Sequence, residues 1–256
     1  MNKPVVIIGV GEMGGVFARG FLRLGYPVYP VTRNMDINQC AEQIADPEMV
    51  LVAVAENDLH STLETIPQNW RNKIALLQNE LLPHDWHQHQ LDNPTVISVW
   101  FEKKKGQDAK VIIPSPVYGP QSQLINDALA AIDIPCEQLS SEDQLLFELV
   151  VKNVYILTTN ISGLQTGGTV GELWEHHNHV ADEVSREIIQ IQQALTGKEF
   201  DADKLIAAMV KAFEGDLEHK CMGRSAPSRL KRALEQAKKF GVSVEKLIDI
   251  SAAANT

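Results

Sequence analysis

The sequence predicts an α/β protein in which a doubly wound parallel sheet is followed by a smaller all-helical domain. Up to about residue 140, short apolar runs alternate with stretches of helical periodicity, as a parallel sheet flanked by helices requires. Beyond Ser141 the strand-like runs disappear and only helical periodicity remains. At 256 residues the chain is long enough for two domains, so we expect one at 1–140 and another at 141–256.

Seven segments of the first domain have strand character. Strands are predicted at 4–8, 26–31, 49–55, 73–77, 95–101, 110–113 and 136–139. Helices are predicted directly after the first strand and at 58–65 and 121–132. The second strand is expected inside the sheet, where Pro27 and Pro30 would each remove a hydrogen-bond donor from the ladder. That conflict favours a short second strand, confined to 28–31.

The second domain is predicted to contain helices only. Ser141 is followed by Glu142 and Asp143, which is typical of an N-cap with acidic residues in the first helical turn. The expected helices are 141–160, 172–195, 201–219, 227–240 and 244–250.

The amino-acid composition excludes several classes of protein. With 44% hydrophobic and 22% charged residues, the chain can bury a sizeable core. Its formal net charge of −10 argues against nucleic acid or an anionic membrane as a partner. No segment approaches the roughly 18 apolar residues that a bilayer span requires, and the N-terminus enters a strand at once. The three cysteines suggest neither a disulfide framework nor a zinc motif, so we expect a cytoplasmic protein.

A glycine-rich turn follows the first predicted strand and opens a helix. In this pattern the first glycine permits the tight turn, the second lets a pyrophosphate approach the backbone, and the third lets the helix pack against the sheet. Free N–H groups in the first helical turn then face the anion. The alternative is a tight turn that binds nothing, but the strand and helix on either side favour a dinucleotide site. Its residues are Gly9, Val10, Gly11, Glu12, Met13 and Gly14.

The residues after the second strand favour NADP over NAD. NAD sites place an acidic residue about 20 positions after the glycines, where it binds the ribose hydroxyls. Here that place is taken by Arg33, flanked by Thr32 and Asn34, and the nearby Asp36 comes late. A guanidinium suits a 2′-phosphate, and the two neighbours can add neutral hydrogen bonds. The alternative is a solvated surface arginine.

A nucleotide-binding half followed by a helical half resembles the 6-phosphogluconate dehydrogenase-like reductases, and within them the ketopantoate reductases. The segment 76–79, Leu-Leu-Gln-Asn, is similar to that family's Gln-Asn-Gly stretch near the nicotinamide, with Glu80 in place of the glycine. Lys152 and Asn160 resemble the family's catalytic lysine and a substrate-binding asparagine. The segment 234–244 resembles the family's last helix and the turn that follows it.

The resemblance implies a role for each matched residue. Lys152 would be the general acid that protonates the oxygen formed when hydride attacks a carbonyl. Asn160 would bind substrate, and Asn79 would hold the nicotinamide or the substrate. Ile156 replaces another family asparagine, and Ser225 is a stand-in for the family's substrate-binding serine. The glutamate that supports the family's lysine has only loose candidates here, Glu218 and Glu235.

Each of these residues also has a purely structural interpretation. Lys152 lies in an apolar helix, where a lysine can extend its ammonium group to water. Asn160 can cap a turn near Gly163, and Asn79 can form a turn. The histidines at 84, 87, 89, 176, 177 and 179 lack the spacing of a tetrahedral metal site, so no metal is predicted.

The sequence therefore predicts an NADPH-dependent reductase of a small, anionic 2-oxo acid. Two alternatives stay open. Ile156 and the shortened final segment allow an imine or a 3-hydroxy acid as substrate, and loss of part of the ketopantoate site allows an NADP-binding sensor without catalysis. The resemblance also allows a homodimer formed through the helical domain.

Overall fold

The computed structural model describes residues 2–254, which form two sheets and eleven α-helices. The strands are β1 (Val5–Ile8), β2 (Val28–Val31), β3 (Met49–Val52), β4 (Ile74–Leu76), β5 (Thr95–Ile97), β6 (Phe101–Glu102), β7 (Lys110–Val111), β8 (Ser115–Tyr118) and β9 (Cys136–Gln138). The helices are α1 (Glu12–Arg23), α2 (Ile37–Gln43), α3 (Leu59–Glu64), α4 (Pro83–His87), α5 (Ser122–Ala130), α6 (Glu142–Thr166), α7 (Val170–His176), α8 (Asn178–Thr196), α9 (Ala202–Gly215), α10 (Ala226–Phe240) and α11 (Glu245–Ala254).

The main sheet has seven strands in the order β2-β1-β3-β4-β5-β8-β9. The five strands from β2 to β5 are parallel, β8 runs antiparallel to β5, and β9 is parallel to β8. Helices connect the successive strands from β1 to β5 and also β8 to β9, which confirms the predicted α/β class with a doubly wound sheet and a helical second part.

Two strand predictions in the middle of the chain are wrong. The segment expected as a sixth sheet strand at 110–113 instead forms β7, which pairs with β6 in a separate antiparallel hairpin. The strand that does join the sheet is β8, which the sequence did not indicate because Pro116 lies inside it. The prediction of a continuous strand at 95–101 is also wrong, since β5 ends at Ile97 and β6 begins at Phe101.

The second strand lies at the edge of the sheet. β2 pairs only with β1 in the sheet order, with Pro30 opposite Ile7. A proline is tolerated there because an edge strand leaves one row of backbone groups without a ladder partner. The expected bounds of 28–31 are confirmed, whereas the expected internal position is wrong. The chain returns from β2 across β1 to β3.

The core of the first half packs between the sheet and helices α1 and α5. Val5, Ile7, Phe17 and Met49 are completely buried in one hydrophobic cluster. A side chain on Gly20 of α1 would overlap the carbonyl oxygen of Ala128 in α5, so the glycine permits the close approach of these two helices. This packing fixes the position of the first turn of α1.

The chain divides into two compact units, Met1–Glu148 and Leu149–Thr256. The division falls within α6, which ends at Thr166, later than the predicted 160, before Gly167 and Gly168 at φ +66° and +72°. The single helix predicted at 172–195 is instead two helices, α7 and α8, because His177 adopts a non-helical backbone between them.

One helix is long and apolar enough to meet the length and composition of a membrane span, contrary to the sequence expectation. It is α6, whose most apolar 18-residue window has a mean hydropathy of 1.2. In the structure 89% of that window is buried, as in a core helix.

Candidate functional site

The glycine turn lies at the carboxyl edge of β1, and each of its three glycines has a distinct structural reason. Gly9 has a φ of +93°, and a Cβ atom there would lie 2.7 Å from the carbonyl oxygen of Ala53. A Cβ atom on Gly14 would overlap the carbonyl oxygen of Gly9. Outside its own neighbours, a Cβ atom on Gly11 would meet no described atom within 4 Å. The geometry therefore agrees with a tight turn, close helix packing and an open approach to the backbone.

The first turn of α1 faces this open space. Its N-cap is Gly11, and within the described chain no side chain caps the helix by hydrogen bonding. The first amides of a helix have no carbonyl partner within the helix and carry a partial positive charge. Such amides can bind an anion, and Glu12 and Met13 are the first residues to supply them.

A cavity of about 580 Å³ borders the same turn. The turn contributes Val10, Gly11 and Glu12 to its lining, and the second turn of α1 contributes Gly15. Further lining comes from the β6–β7 hairpin and from the loop before β9. Its volume is in the range of small-molecule sites.

Arg33 follows β2 at the same edge of the sheet, because Ile8 and Val31 are paired at the ends of β1 and β2. Its side chain is 90% exposed, and its Nη2 atom lies 3.4 Å from Oδ2 of Asp58. Asp36 accepts hydrogen bonds from the amides of Asn38 and Gln39 as the N-cap of α2. The late acidic residue is thus engaged with α2, while the guanidinium group faces solvent.

The flanking residues Thr32 and Asn34 are also exposed. The Thr32 amide donates to Sδ of Met35, and the Thr32 carbonyl accepts from the Met35 amide at 3.0 Å. These bonds form a turn that leaves the Thr32 and Asn34 side chains beside Arg33 on the surface.

Asn79 comes shortly after the end of β4, where its Nδ2 atom donates to Oε1 of Glu56 at 3.0 Å. The preceding Gln78 is buried, and its Nε2 atom donates to the carbonyl oxygen of Val52 at 2.7 Å. Gln78 therefore ties the ends of β3 and β4 together, a role the sequence analysis missed. The available signal in the sequence was a glutamine directly after the apolar run predicted as a strand at 73–77. Glu80, in the place of the family's glycine, has a φ of +58°.

Lys152 lies on α6 with only 8% of its surface exposed. Its Nζ atom is 5.7 Å from the centre of the Tyr155 ring, a cation–π distance. The adjacent Asn153 points elsewhere, and its Nδ2 atom donates to Oε1 of Gln192 at 3.0 Å. The lysine is therefore held in a largely apolar region of the helical unit.

Asn160 connects α6 to the segment before α10. Its Nδ2 atom donates to the carbonyl oxygen of Ile156 at 2.9 Å, and its Oδ1 atom accepts from the Gly223 amide at 3.4 Å. Ser225 is half-buried and is the N-cap of α10, as its position before Pro227 indicated. The structure thus brings Asn160 to the segment that contains Ser225.

The remaining candidates are the two glutamates proposed to support the lysine and the histidines. Oε1 of Glu235 lies 4.0 Å from Nζ of Lys231 on α10, and Glu218 is exposed. The segment with the first group of histidines includes the short helix α4, where Oδ1 of Asp85 lies 3.2 Å from Nε2 of His84 and 3.6 Å from Nε2 of His60. Among residues 2–254, no group of three or more His, Cys, Asp or Glu side chains can hold a metal ion.

The sequence matches no family model and no curated protein. Solved structures nevertheless share its fold over nearly the whole chain. A 2-dehydropantoate 2-reductase from Methylococcus capsulatus is similar with a TM-score of 0.72 and 13% identity, covering 98% of this chain and 96% of that one. A D-mandelate dehydrogenase in complex with NADH has a TM-score of 0.70 and 14% identity, with coverages of 98% and 97%. The chain has a ketopantoate reductase-like fold.

A further similar structure is a dimeric ketopantoate reductase from Staphylococcus aureus, with a TM-score of 0.66, 14% identity, and coverages of 98% and 97%. Identities this low establish the fold, and one fold supports many reactions. The function must therefore be argued from the residues of this chain.

Proposed function

We propose that this chain is an NADPH-dependent reductase of a small 2-oxo acid. The observation that carries the proposal is the glycine turn. Gly9 takes a backbone conformation that favours glycine, Gly14 allows α1 to contact the turn, and Gly11 leaves the backbone open beside an uncapped helix N-terminus. A turn that only changed the chain direction would need Gly9 and Gly14 but not the open Gly11.

A nicotinamide dinucleotide fits the residues present. Gly9 to Gly14 would hold its pyrophosphate with backbone amides, and Asn79 would hold its nicotinamide end. When bound in reduced form, the nicotinamide supplies a hydride. The D-mandelate dehydrogenase of similar fold was solved with NADH, which supports a nicotinamide cofactor for this chain as well.

The preference for NADPH over NADH is proposed from the residues that follow β2. Arg33 presents a guanidinium group to solvent, and Asp36 is engaged as a helix cap. Arg33 would bind the 2′-phosphate, with Thr32 and Asn34 as neutral hydrogen-bond partners. An acidic residue free to bind both ribose hydroxyls would have favoured NADH instead.

Lys152 is proposed as the proton donor. Its position supports this role, because Lys152 is 8% exposed on α6 and occupies the place of the family's catalytic lysine. Its Nζ atom would donate a proton to the substrate's carbonyl oxygen as that oxygen gains negative charge, giving a hydroxyl group. Asn160 and Ser225 are proposed to bind the anionic substrate. Asn160 accepts a hydrogen bond from the Gly223 amide, and Ser225 lies two residues after Gly223.

Several broader predictions belong to the same proposal. The domain at 1–140 would bind the cofactor, and 141–256 would bind substrate and form a homodimer, as one neighbour of this fold is described as dimeric. We place the protein in the cytoplasm, where NADPH is available, without nucleic acid or membrane as a partner.

A panel of 2-oxo acids that includes ketopantoate, assayed by NADPH oxidation, tests the proposal. We expect turnover of at least one member, and we expect Lys152→Gln to lower kcat at least 100-fold, within the range of general acid catalysis. Lys231→Gln is the matched control because Lys231 is 78% exposed on α10. Absence of turnover by a chain that binds NADPH would refute the reductase and favour the sensor.

A second candidate substrate class is supported by Ile156. This side chain is 6% exposed and apolar at the position where the family has an asparagine. A site with one polar group fewer suits an imine or a 3-hydroxy acid. Cyclic imines, added to the panel with NADPH, and 3-hydroxy acids, assayed separately with NADP+ by the formation of NADPH, separate these classes, since each predicts turnover of its own members only.

A further inference from the structure

The first helical residue of the glycine turn is acidic. Glu12 begins α1 directly after Gly11, and its side chain is 46% exposed. In the free protein a carboxylate at a helix N-terminus is favourable, because the first-turn amides carry partial positive charge. A dinucleotide would bring its own negative charge to the same amides, so an uncompensated Glu12 would oppose it.

A lysine from a distant part of the chain neutralises this carboxylate. Nζ of Lys103 lies 3.2 Å from Oε2 of Glu12, although 91 positions separate them in sequence. The same Nζ atom donates to the carbonyl oxygen of Lys104 at 2.9 Å, and the Lys103 side chain is 21% exposed. Lys103 follows β6 directly, so the β6–β7 hairpin fixes its position.

The ion pair borders the open space beside the turn. Glu12 and Lys103 both line the cavity of about 580 Å³, together with Gly11 and Gly15. Neither glycine position would place a Cβ atom within 4 Å of the surrounding described chain, apart from its own neighbours and helix backbone. The pair is thus part of the surface that an anion at the turn would meet, with Lys103 reaching Glu12 from the hairpin.

We propose that Lys103 is a positioning residue for the dinucleotide, acting through Glu12. By pairing with Glu12 it cancels the repulsion between this carboxylate and the pyrophosphate and holds the carboxylate to one side of the first-turn amides. The inference rests on the proposed function, since it concerns how the chain holds that cofactor. It assigns the hairpin a role in cofactor affinity.

Dissociation constants for NADPH, measured by fluorescence titration, test the proposal in a double-mutant cycle. Lys103→Gln should weaken binding about tenfold, because it exposes the phosphates to an unpaired Glu12. Glu12→Gln should tighten binding about twofold to threefold. The double variant should return to within about threefold of the wild type, because the carboxylate that needed a partner is gone. Added salt should reduce the effect of Lys103→Gln.

Lys104→Gln is the matched control, since Lys104 lies on the same hairpin, is 69% exposed and pairs with Glu102. It should bind NADPH like the wild type. Circular dichroism of each variant establishes that it is folded, and the double variant reports on Lys103 even where the single one is unstable. A double variant as weak as Lys103→Gln would overturn the proposal, because Lys103 would then contact the cofactor directly. Failure of the wild type to bind any dinucleotide would overturn the proposed function as well, whereas binding unchanged by Lys103→Gln would overturn this inference alone.

Discussion

Substitution of alanine for two neighbouring glycines of α1, Gly14 and Gly15, should change the free energy of unfolding in opposite directions. A Cβ atom on Gly14 would overlap the carbonyl oxygen of Gly9 and would lie 3.3 Å from Cγ2 of Ile7. Both contacts involve parts of the turn and sheet that cannot move independently, so Gly14→Ala must displace α1. A Cβ atom on Gly15 would meet no described atom within 4 Å beyond its own helix and neighbours.

The expected magnitudes follow from these contacts. Overpacking of a close contact costs about 1–3 kcal/mol, so we expect Gly14→Ala to lower the free energy of unfolding by that amount. Gly15→Ala adds a methyl group in open space and removes backbone freedom from the unfolded chain, so it should raise the free energy of unfolding by about 0.5–1 kcal/mol. Gly14→Ala should also weaken NADPH binding at least tenfold, because it moves the first-turn amides.

Urea unfolding monitored by tryptophan fluorescence, with NADPH titration on the same variants, measures both effects. Both variants replace one glycine of the same helix with alanine at adjacent positions, so each serves as the control for the other. Destabilisation of similar size in both variants would refute the reasoning, since it would show that contact with the Gly9 carbonyl is not the cause.

Two further predictions concern titratable groups. Burial raises the pKa of the Cys136 and Cys221 thiols to about 12, so Ellman's reagent at pH 8 should label neither until the chain is unfolded; rapid labelling of Cys221 would contradict this. Burial lowers the pKa of His89, and the nearby His60 lowers it further by charge repulsion. As the pH falls, His89 is therefore protonated in the unfolded chain before it is protonated in the folded one. The free energy of unfolding should therefore decrease from about pH 7 downward, and His89→Gln should flatten that decrease.

The parts of the fold that the sequence predicted are those with local causes. The turn after β1 was predictable because its glycine spacing is a local pattern, and Gly14 contacts Gly9 only five residues before it. The short β2 was predictable because prolines limit where a ladder can form. The α/β order was predictable from periodicity alone.

The parts that were not predicted depend on distant partners. β8 joins the sheet through β5 despite Pro116, and nothing near Pro116 in sequence indicates that pairing. Lys103 meets Glu12 only because the hairpin folds back beside α1. In the candidate site, the sequence predicted which residues correspond to the family's site residues, but it did not predict the hydrogen-bond partners of those residues. The roles of Lys152 and Asn160 stay predictions.

The central claim is that the glycine turn and Arg33 together bind NADPH, and the ratio of NADPH to NADH dissociation constants tests it most directly. Because the Arg33 side chain is 90% exposed and a 2′-phosphate must compete with Asp58, we expect the preference for NADPH to be about tenfold rather than a hundredfold. Arg33→Ala should remove most of that preference and leave NADH binding nearly unchanged. Equal dissociation constants for the two cofactors in the wild type, or no binding of either, would contradict the account.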